Sequence, residues 1–104
     1  MDLSVLLQSK SIKPKDKTTQ ISEALLAKTI RAEQLVEIAA TLKDPGKATC
    51  IEALEFATKT QPQLAGINVF EFVTQHLSSK APRVKWESAK VIANTAHLFK
   101  TKLD

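Results

Sequence analysis

The chain has no tyrosine, one tryptophan, one cysteine and two glycines, and it has no long apolar run. Each shortage removes a class of protein. A single thiol, Cys50, cannot close an internal disulfide, so a disulfide-stapled scaffold is excluded. With so few glycines and only four prolines, long loops and low-complexity segments are not expected. Aromatics make up 5% of the residues, which disfavours a sheet built on aromatic and β-branched side chains. The only apolar stretch near the start, Val5 to Leu7, is short and follows Asp2. A signal peptide needs a basic start and a longer apolar core. Nothing approaches the roughly 18 apolar residues that suggest a membrane span. The expected setting is the cytoplasm, with no membrane partner.

What remains is an ordinary soluble composition, 43% hydrophobic and 25% charged, over 104 residues. That length predicts one domain, residues 1–104, large enough to bury a core without metal or disulfide support. The formal net charge of +4 permits acidic partners without requiring them.

Apolar residues recur at helical spacing. Leu35, Ile38, Ala39 and Leu42 form one such stripe; Cys50, Ala53, Leu54 and Ala57 form another; Ala89, Ile92, Ala93 and Ala96 form a third. Ile21, Ala24 and Leu25, and Phe70, Val73 and Leu77, fill three of four places. No segment alternates as a strand would, and no Asn-Gly or Asp-Gly hairpin signal occurs. Asp44-Pro45 reads as a helix cap and first turn, Pro62 and Pro82 suit the first-turn role, and Asp16 could cap the helix that follows it. The pattern predicts six helices, over about residues 2–9, 17–28, 31–43, 46–60, 62–79 and 82–100.

The helices pair and repeat. Leu35, Ile38 and Leu42 map onto Phe70, Val73 and Leu77, each 35 positions later. Cys50, Ala53, Phe56 and Ala57 map onto Trp86, Ala89, Ile92 and Ala93, each 36 positions later. The expected fold is all-α, with helix pairs over about 1–28, 31–60 and 62–100, the first pair degenerate. On this register Trp86, the counterpart of Cys50, belongs partly buried between helices. Exposed at the end of the row, it would instead be a partner anchor.

The segment Ser79-Lys80-Ala81-Pro82-Arg83-Val84-Lys85-Trp86-Glu87-Ser88-Ala89-Lys90-Val91-Ile92-Ala93 resembles the second-helix signature of HEAT repeats, a family of the armadillo-type fold. There, a turn with Asp or Pro precedes a Val-Arg-like pair, a buried Ala and a Leu or Ile. Leu42 to Gly46, followed by Ala53-Leu54, looks like a weaker copy. Lys85 stands where the family has a basic residue after Val, and Ala48 replaces the Val of the earlier copy. The resemblance covers about residues 31–100. It implies a short α-α superhelix, a solenoid of about three antiparallel pairs, with the second helices lining the concave side. It also implies a binding or scaffold role and no particular chemistry.

Catalytic signatures are missing. His76 and His97 lie on different predicted helices without a His or Cys partner at i+3 or i+4, so no metal site is expected. Cys50 sits on an apolar stripe and reads as a small core residue rather than a nucleophile. No phosphate loop, HExxH motif or GxSxG elbow occurs, and Glu52 and Glu55 beside Lys59 read as a solvated face. The chain is therefore expected to be no enzyme and to need no cofactor.

Charge is more informative. The turns within the pairs should lie along one edge and carry Lys13, Lys15, Lys17, Lys43, Lys47, Lys80 and Arg83 against Asp16 and Asp44. Helix N-termini pointing there would favour anions, although Lys43 and Lys80 would also suit the C-termini of first helices. Arg83, Glu87, Lys90, Asn94 and His97 share one polar face of the last helix, which should face outward as a terminal cap or a docking face. The first expectation is a non-catalytic protein-interaction or scaffold module. The second is weak nucleic-acid or phosphate binding along the basic edge. The residues involved would be Lys15, Lys17, Lys43, Lys47, Lys80, Arg83 and Lys90. Self-association through an exposed apolar end is a further expectation.

Overall fold

Six α-helices and three single 3₁₀ turns form the regular structure of residues 1–99, the part of the chain that the computed structural model describes. They are α1 (Leu3–Gln8), α2 (Pro14–Leu26), α3 (Ala32–Ala39), α4 (Asp44–Thr60), α5 (Ile67–Gln75) and α6 (Pro82–Thr95). The 3₁₀ turns are Pro62–Leu64, His76–Ser78 and Ala96–Leu98. Lys100, Lys102 and Asp104 lie outside the described residues.

Proline sets the start of each long helix. Pro14 and Pro82 are the first residues of α2 and α6, and Pro45 is the second of α4. Proline's fixed φ and missing N–H cost nothing in that first turn. Two expected caps are displaced. Asp44 is the first helical residue and Lys43 the N-cap, while Asp16 lies inside the first turn of α2 behind the N-cap Lys13. Both carboxylates still complement the positive helix end. Pro62 opens a 3₁₀ turn and not α5, which begins after Gly66. A Cβ at Gly66 would lie 2.7 Å from Glu33 Oε2, so the carboxylate occupies that space.

The end of α2 carries the one non-glycine residue with positive φ among the described residues, Lys28 at 63°. Thr29 N–H donates to Ala24 O and Lys28 N–H to Leu25 O, which caps the last carbonyls in a Schellman motif. A side chain in this left-handed conformation costs about 1 kcal/mol that glycine avoids. Lys28→Gly is expected to raise unfolding stability by about 0.5–1 kcal/mol, measured by urea denaturation.

The helices pack in two layers. α4 packs against α2 on one side and α6 on the other; α3 and α5 touch each other and lie against α4 and α6 respectively. α1 leans on α2 and α3. The Cα extents, 44 × 31 × 18 Å, match a slab two helices thick. Ile21, Leu25, Leu35, Ile51, Leu54, Val69 and Val73 are fully buried in the core. Cys50 is buried with them, as its place on an apolar stripe predicts. No helix among the described residues is long and apolar enough to cross a membrane.

The last helix departs from expectation. Ala89 and Ala93 were expected inside and are exposed, and Trp86 is 63% exposed. Phe56, on the equivalent stripe of α4, is exposed as well. The inward face of α6 is instead Val84, Glu87, Ser88, Val91 and Thr95. Glu87 and Asn94, expected on the outer polar face, turn toward α4. Asn94 Nδ2 donates to Glu55 O at 3.1 Å and to Thr58 Oγ1 at 3.2 Å. The two valines supply the apolar contact and α4 supplies the acceptors that hold Asn94, whereas Thr95 Oγ1 donates to Val91 O within α6 and Glu87 Oε1 and Ser88 Oγ have no partner. The 36-residue register therefore fails on burial, since Cys50, Ala53 and Ala57 are buried and their assigned partners are not.

Candidate functional site

Among the described residues, no group of three or more His, Cys, Asp or Glu is placed to hold a metal ion. His76 Nδ1 lies 2.7 Å from the carbonyl of Phe72, one turn back on its own helix, and His97 is exposed. Burial pushes the Cys50 thiol up to about 12, so it stays protonated and unreactive at neutral pH. A water-soluble disulfide reagent at pH 8 is expected to label Cys50 only as fast as the fold opens, with no burst phase before denaturant is added.

Two surfaces remain. The first is the edge formed by the starts of α2, α4 and α6. A 210 Å³ groove lined by Leu7, Pro14, Lys17, Pro45, Gly46 and Thr49 joins α2 to α4. A 360 Å³ groove lined by Asp44, Pro45, Ala48, Ala81, Pro82, Arg83 and Val84 joins α4 to α6. The three helices thus run parallel with their N-termini side by side, as the basic edge requires.

The cations on this edge are unequal. Lys15 and Lys80 are exposed. Lys17 Nζ donates to Leu7 O at 2.9 Å and ties α1 to α2. Arg83 Nη2 lies 3.5 Å from Glu52 Oε1, which also accepts from Thr18 Oγ1 at 3.0 Å. One carboxylate thereby bridges all three parallel helices. Lys43 does not close α3, which ends at Ala39; it is the N-cap of α4. Lys80 likewise precedes α6 beyond the end of α5. Neither cation gains from a C-terminal dipole. Both stand at positive helix ends, where each cation is disfavoured by a few tenths of a kcal/mol or more, roughly 0.3–1 kcal/mol. Lys90 is not on this edge. It lies mid-helix on α6, about 12 Å along the axis from Pro82 at 1.5 Å per residue, with Nζ 3.5 Å from Glu87 Oε2.

The second surface is the outer face of α6. Counted from the helix starts, the fifth, eighth and twelfth residues are Thr18, Ile21 and Leu25 in α2 and Ala48, Ile51 and Glu55 in α4. All six are buried. Thr18 bonds Glu52 of α4, and the Glu55 carbonyl accepts from Asn94 of α6, so each set faces the next helix in the row. The same places in α6 are Trp86, Ala89 and Ala93, all exposed. The face that receives a neighbour in α2 and α4 has none in α6.

Helical spacing missed this equivalence because it aligned α4 and α6 on alanines. Counting from the helix starts, Pro14, Asp44 and Pro82, aligns them on what they touch, with starts 30 and 38 residues apart. Trp86 was legible as an anchor only on the condition that it lies at the end of the row. Ala89 and Ala93 carried no such signal, since alanine suits a core and a surface alike.

No protein-family model matches the chain, and comparison with curated proteins and with solved structures finds no significant match.

Proposed function

We propose that this protein is a non-catalytic interaction module, a short HEAT-like row of helix pairs that binds another protein through the outer face of α6. One observation carries the reading: α6 turns Glu87, Ser88 and Thr95 inward and leaves Trp86, Ala89 and Ala93 in solvent. A helix in a monomer with no partner gains by the opposite orientation, since buried carboxylates cost free energy and exposed indoles gain none. Tryptophan on a surface is also the side chain most enriched among binding hot spots.

The test compares the full chain with two surface variants, Trp86→Ala and Ala89→Arg, as bait for cellular proteins. Both positions are exposed, so melting temperature and helical circular dichroism are expected to match the wild type. A protein retained by the wild type and lost by both variants supports the reading. A set of bound proteins identical for all three baits overturns it.

A second reading rests on a different observation. Lys13 and Lys43 occupy N-cap positions, where a cation opposes the helix dipole and a bound anion would relieve both. Weak nucleic-acid or phosphate binding along this edge would be electrostatic and insensitive to base sequence. It predicts a steep loss of RNA or DNA affinity between 50 and 200 mM salt, on the order of tenfold or more, that Trp86→Ala does not alter. No binding at low salt removes it.

A further inference from the structure

We infer that the occupant of the α6 face is an amphipathic helix with acidic flanks; this rests on the docking reading above and names the partner's chemistry.

The shape of the face selects a helix. Ala89 and Ala93 are one turn apart with minimal side chains, and Pro82 and Trp86 extend the same line toward the helix start. Small residues four apart leave a groove between larger neighbours, into which the ridge of a second helix fits at about 8–10 Å between axes. The matching positions of α2 and α4 also receive the next helix in the row, there with larger side chains. Trp86 at the fifth position gives the groove a wall that a partner's apolar side chain can cover.

The charge of the face selects the flanks. At 100° per residue, Lys85 lies on one side of the Trp86–Ala89–Ala93 line and Lys90 on the other. Both are exposed. No acidic side chain lies on this face: the one carboxylate among the described residues of α6, Glu87, is buried on the other side and reaches Lys90 only at 3.5 Å, from beneath. A partner with Asp or Glu on both edges of its apolar stripe would meet a cation on each side. A second copy of this chain would not. A two-fold contact sets each face against itself and would bring Lys85 and Lys90 against Lys85 and Lys90.

The sole tryptophan lies in the proposed contact, so its fluorescence reports on that face alone. The experiment selects ligands for the full-length protein from a displayed library of helical peptides with a fixed apolar stripe and randomised flanks. The expected result is enrichment of peptides acidic on both flanks, with Trp86 emission shifting to shorter wavelength on binding. The Lys85→Glu/Lys90→Glu variant should weaken these peptides about tenfold or more and favour lysine-flanked ones. Trp86→Ala should weaken binding about thirtyfold. Enrichment of neutral or basic flanks that still depends on Trp86 overturns the acidic partner and leaves the docking reading standing. No Trp86-dependent enrichment overturns this inference, and the docking reading then stands or falls on the bait comparison. A concentration-dependent dimer in sedimentation, accompanied by the same emission shift without peptide, overturns it in favour of a second copy.

Discussion

Ile51→Ala is expected to cost about 3 kcal/mol of unfolding stability, within the 2–5 kcal/mol range for emptying a fully buried aliphatic site. Ile51 has no exposed surface and sits mid-way along α4. That helix is flanked on both sides, by α2 and α6, and backed by α3. The neighbours on all three sides are held by their own contacts, so the vacated space cannot close by moving one helix. For a domain of about this length, each kcal/mol shifts the melting temperature by roughly 4–8 °C, so a fall of roughly 12–24 °C is expected. Urea denaturation should show a lower midpoint with an unchanged slope. Val5→Ala, at an exposed position of α1, should stay within about 0.5 kcal/mol of the wild type. A cost at Ile51 as small as that at Val5 would mean that α4 is not the centre of the fold.

The two substitutions differ in a way that local sequence already suggested. Apolar spacing and proline placement located all six helices, because both signals act within a few residues. Where a boundary slipped, a competing local contact won. The pattern extends α3 to residue 43, but Thr41 N–H and Leu42 N–H turn back to Ile38 O and Ala39 O, which closes the helix early. Pro62 starts its own 3₁₀ turn, and Gly66, four residues on, is the N-cap from which α5 begins.

The orientation of α6 was not legible in the same way. Periodicity ranks residues by hydrophobicity, and on that scale Ala89, Ile92, Ala93 and Ala96 outweigh Val84, Ser88, Val91 and Thr95. The choice between the two faces depends on α4, which presents the Glu55 carbonyl and Thr58 hydroxyl where only Asn94 reaches them. A hydrogen bond spanning 36 to 39 positions leaves no trace in a window of eleven to eighteen residues. The spacing of Val84 and Val91, seven apart, was the one local hint. The basic edge was legible because it follows from topology: parallel helices place their starts together whichever face each one buries.

Glu87→Leu is expected to stabilise the protein by about 2 kcal/mol at neutral pH, even though it removes an ion pair. Glu87 is almost fully buried between α6 and α4, its Oε1 has no hydrogen-bond partner, and Lys90 reaches only Oε2, at 3.5 Å from an exposed position. Burial raises the carboxyl above its ordinary value; Lys90 opposes this, and the nearby charges of Glu52 and Glu55 add to it. A raised value in the folded state means that the native protein holds this proton more tightly than the unfolded chain does. The stability linked to Glu87 is therefore complete below the unfolded value of 4.5 and is lost as pH rises through the folded value. Leucine has no charge to desolvate, so the variant should exceed the wild type most near pH 7 and by less as pH approaches 4.5. Glu87→Gln should show the same pH trend with a smaller gain, about 1 kcal/mol, because the amide still needs partners. Urea midpoints of the three proteins from pH 4 to 8 decide the matter. A difference that does not change with pH would mean that Glu87 titrates alike in both states, and a less stable leucine variant would mean that Lys90 compensates the buried charge. The predicted outcome also bears on the docking face. Lys90 is the cation on one flank of the Trp86 line, and its long 3.5 Å pairing with the buried Glu87 leaves its side chain 57% exposed to an acidic partner.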